Sequence, residues 1–256
     1  MKDLDKDEKV SIAGPKEALE FIATLAPAEK ELLKNVLLKS SEEDSPVLAA
    51  MMRIKVLNIP LSSVIDVGAS DGSWSNKVEK VWSDLRYLLI DANEHWEEKL
   101  KQRTFERPMM KYLIAAVGSE VGKAYFANTP GDPKSGHACA EKMGYTYSEV
   151  PSISLDQIVL DTNLPGPYFL KLDTHGFEVE IFSGAKSVLK NTQLIQVEAY
   201  NFSNRGRLRF HEMCAFLEER GFRCVDIVDV MRRAKDNILW QMDLFFIRSD
   251  REEFVK

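Results

Sequence analysis

Residues 64–74 read VIDVGASDGSW, an apolar run with one acid that then breaks into small and polar residues. This pattern is typical of a buried β-strand followed by a tight turn and a helix. Gly68 to Gly72 matches G-x-S-x-G, the turn that presents a serine nucleophile in hydrolases. It also matches a degenerate glycine-rich cofactor turn, in which Ser70 replaces the middle glycine. The turn alone leaves both interpretations open.

Composition and charge narrow the class of protein. The chain has 256 residues, 45% of them hydrophobic and 29% charged, which is ordinary for a globular protein with a sizeable core. The net charge of −6 favours neither nucleic acid nor an anionic membrane as a partner. Three cysteines without metal or redox spacing, a charged N-terminal sequence and the lack of long apolar runs predict a cytoplasmic protein.

Short apolar runs alternate with helical patterns from residue 64 onward, which predicts a parallel sheet with helices on both faces. The first five runs are VIDVG, YLLID, KYLIAAV, YFLKLD and LIQVEAY. The last two, FRCVDIVDV and WQMDLFFIR, are separated only by a loop and predict an antiparallel hairpin at the edge. We therefore expect an α/β fold with a seven-stranded, mostly parallel Rossmann-like sheet.

The chain before this alternation has helical patterns only. They begin at Pro15, Pro27 and Pro46, and they predict an N-terminal helical extension over residues 1–58. Residues 59–256 form the predicted main domain, with an insertion at about 118–152 that is rich in Gly, Pro and Ser. An insertion of this length is either a functional lid or a tolerated surface loop. Within the main domain, helices are predicted near 74–82, 94–103, 178–189 and 210–220.

Ligands of open α/β sheets lie beyond the carboxyl ends of the strands. Asp91 ends the second predicted strand about twenty residues after the glycine turn, where a carboxylate can accept hydrogen bonds from a ribose diol. The turn and this acid together indicate an adenosine-type cofactor. Ser70 in place of the middle glycine suits a cofactor without a pyrophosphate, which favours S-adenosylmethionine over a nicotinamide dinucleotide.

The next two strands end in a cluster of titratable residues. Lys171 and Asp173 lie on one face of their strand, and Glu198 ends the following strand. Together with His175, the two acids could deprotonate a hydroxyl or hold a hard cation. A hydrolase would need a histidine as base for Ser70, and His211 lies at a predicted helix start, which does not suit that role.

Several motifs, in this order along the chain, resemble the FkbM-type family of S-adenosylmethionine-dependent methyltransferases, which belongs to the Rossmann-like class I. The motifs are VIDVGASDGSW, LLIDAN, AAVGSEVGKAYF, PSISLDQIV, LKLDTHGFEVEIFSGA and IQVEAY. The resemblance extends from about Val56 to Arg248, and its most specific part is the K-x-D-x-x-G-x-E segment that begins at Lys171.

The resemblance implies O-methylation of a hydroxyl on a sugar, which could be nucleotide-linked or a polysaccharide precursor, or on a natural product. It also implies which residues bind S-adenosylmethionine, among them Asp173 of the catalytic cluster. The cofactor-binding residues are Asp66, Gly68, Ser70, Asp91, Ala115, Ala116 and Asp173. The family's usual DVEG appears here as Asp173-Thr174-His175-Gly176, so a histidine replaces its glutamate.

These considerations assign the catalytic roles. His175 is the expected general base, since an unperturbed imidazole titrates near pH 6.5. Asp173 would orient it or act in its place, and Lys171 would pair with a carboxylate or contact the substrate. The expected substrate contacts are His137, Glu198 and Asn201, and Arg205, Arg207 and Arg209 could meet an anionic substrate.

Three alternatives stay open. Asp173 and Glu198 could bind Mg²⁺, which would acidify the acceptor hydroxyl. The protein could be a serine hydrolase with Ser70 as nucleophile, or a nucleotide-binding module without catalytic activity. The expected partners are a small-molecule or sugar substrate and a second copy of the chain in a homo-oligomer.

Overall fold

The computed structural model describes residues 26–27, 45–105, 107–127, 129, 131–139, 147–202 and 207–254. The chain divides into two compact units, residues 1–45 and 46–256. The helices predicted from Pro15 and Pro27 fall outside the described residues, apart from Ala26 and Pro27 themselves. Everything below concerns the second unit.

This unit contains eleven strands and seven α-helices among its described residues. The strands are β1 (Ser63–Val67), β2 (Arg86–Asp91), β3 (Met110–Ile114), β4 (Ala116–Gly118), β5 (Gly122–Ala127), β6 (His137–Cys139), β7 (Tyr147–Ser154), β8 (Tyr168–Leu172), β9 (Thr192–Tyr200), β10 (Phe222–Arg232) and β11 (Leu239–Arg248). The helices are α1 (Pro46–Lys55), α2 (Ser73–Glu79), α3 (Glu97–Phe105), α4 (Leu155–Thr162), α5 (Glu178–Ser183), α6 (Lys186–Asn191) and α7 (Phe210–Glu218). No helix in this part of the chain is long and apolar enough to cross a membrane.

The main sheet has seven strands in the order β10-β11-β9-β8-β1-β2-β3. Strands β3, β2, β1, β8 and β9 pair in parallel, whereas β11 is antiparallel to both of its neighbours. Strands β1 and β8 are buried along their whole length because helices cover both faces of the sheet. The predicted seven-stranded sheet with an antiparallel edge is therefore confirmed.

Two predicted elements are divided in the structure. The run KYLIAAV was expected to form one strand, but it forms β3 and β4, which belong to different sheets. The chain bends at Ala115, whose N–H donates to the Asp91 carbonyl at 2.9 Å. The helix expected over 178–189 breaks into α5 and α6 at Gly184, where a Cβ would lie 2.3 Å from the Gly118 carbonyl oxygen.

The described residues of the predicted insertion form most of a second, smaller sheet, whereas the sequence alone indicated a lid or a surface loop. Its four strands are ordered β4-β7-β5-β6, with β4 parallel to β7 and the other pairs antiparallel. Ala124, Phe126 and Val150 form its small apolar core with Ala116. Residues 133–138, which lead into β6 and form its first two positions, lie along the cavity described below.

Helix α1 lies in the same compact unit as the sheet, although we assigned it to the extension. Its apolar side chains recur at helical spacing and are buried, as for Val47, Met51 and Ile54. On its polar side, the Arg53 guanidinium forms an ion pair with Asp226 of β10 at 2.7 Å.

Candidate active site

The turn after β1 brings three strand ends together. Gly68 and Gly72 have φ values of +76° and +72°, and Ser70 between them has +51°. The N–H of Gly68 donates to the Ile90 carbonyl of β2 at 2.9 Å. A Cβ on Gly68 would lie 1.9 Å from the Asp173 carbonyl oxygen just beyond β8. Only glycine allows both this backbone conformation and this close approach.

Asp91, at the end of β2, is tied to the same turn. Its two carboxylate oxygens accept hydrogen bonds from the backbone N–H groups of Ser70 at 2.6 Å and Asn93 at 2.8 Å. Burial raises the pKa of Asp91 above its ordinary value, although these two N–H groups act in the opposite direction. Each oxygen retains a lone pair for a further donor, such as a hydroxyl group of a ligand.

Lys171 of β8 lies under the turn as a buried cation. Its ammonium group is 2.9 Å from Asp66 Oδ1 and 3.5 Å from Asp173 Oδ2, and it donates to the Gly68 carbonyl at 2.7 Å. Burial alone would lower its pKa, but the two carboxylates hold the pKa of Lys171 above its ordinary value. Lys171 is therefore a charged group that fixes the turn, which is the ion-pair role considered from the sequence.

His175 lies between two carboxylates, Asp173 just beyond the end of β8 and Glu198 near the end of β9. Its Nε2 is 3.4 Å from Asp173 Oδ1 and 3.4 Å from Glu198 Oε2. Its Nδ1 is 3.2 Å from the Gly136 carbonyl oxygen. Because a carbonyl only accepts, this hydrogen bond requires the proton on Nδ1 and leaves Nε2 as the basic nitrogen of the neutral ring. The φ of His175 is +57°, a backbone conformation uncommon for residues other than glycine.

Glu198 is held in place by its own partners. Its Oε1 accepts a hydrogen bond from Gln241 Nε2 at 2.8 Å, and Oε2 accepts one from the Tyr200 hydroxyl. Burial and the nearby Asp173 carboxylate raise the pKa of Glu198 well above its ordinary value. The cluster of Asp173, His175 and Glu198 is therefore short of positive charge and suited to a proton or a cation.

All of these groups meet at one cavity of about 650 Å³, a volume within the range of ligand sites. The predicted site residues that line it are Gly68, Ser70, Asp91, Ala115, Ala116, His137, Lys171, Asp173, His175 and Glu198. Asp66 does not line it, since it is fully buried beneath Lys171. Asn201 does not line it either, and its side-chain amide donates to the Leu239 carbonyl at 3.3 Å.

Further residues at the cavity were not assigned to the site from the sequence. Tyr200 and Gln241 hold Glu198, and they are register partners on β9 and β11. Tyr200 lies two residues after Glu198 on the same strand, so the alternation of side chains could have indicated it. The contact through the Gly136 backbone has no sequence signal.

The hydrolase alternative lacks a base at its nucleophile. Ser70 Oγ is buried and has no hydrogen-bond partner among the described residues, which include all four histidines. His211 lies in the first turn of α7, is exposed, and does not line the cavity. A Ser-His pair of the kind that activates a serine nucleophile is therefore not formed in the described structure.

Comparison with solved structures finds similar chains that are described as methyltransferases. The methyltransferase FkbM from Methylobacillus flagellatus is 14% identical with a TM-score of 0.47, and the match covers 72% of this chain and 43% of that one. A magnesium protoporphyrin IX methyltransferase from Synechocystis with bound SAM is 12% identical with a TM-score of 0.42, covering 79% and 76%. An S-adenosylmethionine-dependent methyltransferase from Clostridium acetobutylicum is 7% identical with a TM-score of 0.45, covering 86% and 98%.

Comparison with curated proteins finds no match. The sequence profile of the methyltransferase FkbM domain family, in contrast, matches residues 66–224. The matched segment runs from Asp66 at the end of β1 past Glu198, so it contains the glycine turn and the whole His175 cluster. The resemblance noted in the sequence is confirmed. Because the match covers more than half of its length, the chain belongs to the methyltransferase FkbM domain family.

Proposed function

We propose that the protein is an S-adenosylmethionine-dependent O-methyltransferase that acts on a hydroxyl group of a sugar or natural product. The observation that carries the proposal is the position of the His175 cluster, which lies in the same cavity as the glycine turn and Asp91. The proposed base, His175, and the glycine turn that would bind the cofactor would then belong to one site. Membership of the FkbM methyltransferase domain family supports the same reaction.

The residues around the turn suit the proposed cofactor. Ser70 Oγ is a buried polar atom without a partner in the described structure, and a polar ligand group would satisfy it. Asp91 would accept hydrogen bonds from the ribose hydroxyls, while Ala115 and Ala116 would border the adenine. Gly68 leaves open the space that a side chain would fill. When bound, the cofactor supplies an electrophilic methyl group on a sulfonium.

His175 would accept the proton of the acceptor hydroxyl at Nε2 as the methyl group passes from sulfur to that oxygen, with S-adenosylhomocysteine as the leaving group. The hydrogen bond to the Gly136 carbonyl fixes the tautomer in which Nε2 is free to do so. The imidazolium formed would be stabilised by Asp173 and Glu198, each 3.4 Å from Nε2. Such a base contributes roughly 10²- to 10⁴-fold to the rate.

The same three side chains would also hold a divalent cation. One ligand atom each from Asp173, His175 and Glu198 lies within 4.8 Å of the others. A cation there would supply Lewis acidity toward the acceptor hydroxyl. The Mg²⁺ considered as an alternative from the sequence prefers oxygen ligands, whereas an imidazole nitrogen suits Mn²⁺ or Zn²⁺ better. In this metal-dependent mechanism, His175 would be a metal ligand and not the general base.

Formation of S-adenosylhomocysteine from S-adenosylmethionine, measured with a panel of sugars and hydroxylated natural products, tests the proposal. We expect His175→Ala to lower kcat by roughly 10²- to 10⁴-fold without weakening cofactor binding. The exposed His211→Ala is the matched control and should retain full activity. Loss of activity in EDTA that Mn²⁺ restores would favour the metal-dependent mechanism. Full activity in EDTA would favour His175 as the general base. If the His175→Ala protein and the wild type in EDTA both react at the wild-type rate, both mechanisms are contradicted.

A further inference from the structure

Arg207 occupies a wall of the cavity next to the His175 cluster. Its side chain crosses Gly176, where a Cβ would lie 2.1 Å from the Arg207 Nε. On its other side, its guanidinium carbon is 5.1 Å from the centroid of the Tyr200 ring. Gly176 follows His175 directly, and Tyr200 hydrogen-bonds Glu198. Arg207 is therefore fixed between two residues that adjoin the proposed base.

Among the described residues, the guanidinium of Arg207 has no carboxylate within 4.0 Å and no hydrogen-bond acceptor. Its positive charge acts on Glu178 from a longer distance and lowers the pKa of that carboxyl, which burial raises. The nearby Glu178 carboxylate already accepts hydrogen bonds from Gly176 N at 2.8 Å and Thr174 Oγ1 at 3.1 Å. Two nearby or comparable arginines are paired with acids instead: Arg209 with Glu212 and Arg233 with Asp236. Arg207 lines the cavity, and its guanidinium donors thus have no acceptor among the described residues.

The residues around Arg207 suit an acceptor substrate that contains a ring. Tyr200, Phe202 and Trp240 also line the cavity. Arginines lie over the rings of Tyr200 and Phe202, whereas Trp240 remains 39% exposed. Aromatic faces bind the apolar faces of ring-shaped ligands, while a planar guanidinium binds a phosphate or carboxylate with two parallel hydrogen bonds. An aromatic wall with a free arginine fits a ring that carries an oxyanion.

We infer that Arg207 binds an anionic group of the acceptor, a phosphate or a carboxylate, that lies close to the hydroxyl to be methylated. This inference rests on the proposed function and specifies its substrate class: a phosphorylated or nucleotide-linked sugar, or a uronic acid. The proximity of Arg207 to His175 requires the anion and the reacting hydroxyl to belong to the same region of the acceptor.

Calorimetric titration of the full chain, saturated with S-adenosylhomocysteine, tests the inference. The probes are inorganic phosphate, glucose 1-phosphate, glucuronate and neutral glucose. We expect an anionic probe to bind more tightly than glucose, and the preferred anion separates phosphate from carboxylate. Arg207→Gln should weaken that binding by at least about tenfold, and Arg207→Lys should recover part of it. Arg209→Gln is the matched control, because Arg209 does not line the cavity, and it should bind like the wild type.

Three results would overturn the inference: no anionic probe binding better than glucose, equal binding by Arg207→Gln and wild type, or equal losses in Arg207→Gln and Arg209→Gln. The last would indicate a general charge effect. The affinity for S-adenosylhomocysteine is measured in every variant and should not change. If the wild type fails to bind it, the proposed function fails, and the same anion titrations without it still decide the role of Arg207.

Discussion

Replacement of Lys171 by methionine tests how the turn is held. Lys171 is 3% exposed and Asp66 is fully buried, with 2.9 Å between the ammonium nitrogen and Oδ1. At an effective dielectric constant near 20, two unit charges at that distance attract by about 6 kcal/mol. The cost of burying both charges offsets much of this attraction. Removal of one partner leaves the other buried and uncompensated, which costs about 3–5 kcal/mol.

In a domain of this size, each kcal/mol corresponds to about 2–4 °C in Tm. Lys171→Met should therefore melt about 6–20 °C below the wild type when followed by circular dichroism. Lys186→Met, at the exposed start of α6, is the matched control and should melt with the wild type. The double variant Lys171→Met with Asp66→Asn should recover part of the loss, because the unpaired charge is gone. A Lys171→Met protein that melts within about 2 °C of the wild type would refute this reasoning.

Three further substitutions test other contacts. Gly68→Ala places a methyl group 1.9 Å from the Asp173 carbonyl oxygen at a φ of +76°, so we expect more than about 2 kcal/mol of destabilisation in urea unfolding. An unchanged unfolding midpoint would contradict that contact. Ser70→Ala should leave stability within about 1 kcal/mol of the wild type, since its hydroxyl has no partner in the described structure, and the wild type should resist labelling by a fluorophosphonate. Asp156→Ala removes the carboxylate that accepts from Ser187 N at 2.9 and 3.0 Å at the start of α6, and should cost about 1–2 kcal/mol in the same unfolding assay.

The sequence predicted the elements whose signal is local. The runs that form the centre of the main sheet are nearly continuous apolar stretches, since β1 and β8 are buried along their whole length, and the strand-end acids follow directly from them. The positions of Asp91, Asp173 and Glu198 at one edge then follow from the parallel pairing. Strand-end reasoning and the family resemblance together named ten residues that line the cavity.

The features that were missed depend on contacts distant in sequence. KYLIAAV has no polar side chain near its centre, so nothing in it marks the bend at Ala115 that depends on the Asp91 carbonyl. The break at Gly184 depends on its approach to Gly118, which is 66 positions earlier in the chain by numbering. Asn201 follows Glu198 closely, but its amide is taken by the backbone at Leu239. Contacts of this kind join residues far apart in the chain, so they can be identified only once the sheet is assembled.

Calorimetric titration with S-adenosylmethionine and S-adenosylhomocysteine tests the central claim most directly. We expect both ligands to bind the wild type at one site, and NAD to give no heat. Asp91→Asn should bind at least about tenfold more weakly, since the acceptor of the ribose hydroxyls is lost, whereas the exposed Glu98→Gln should bind like the wild type. Absence of binding by either sulfur ligand, or equal affinity in Asp91→Asn and wild type, would contradict the account.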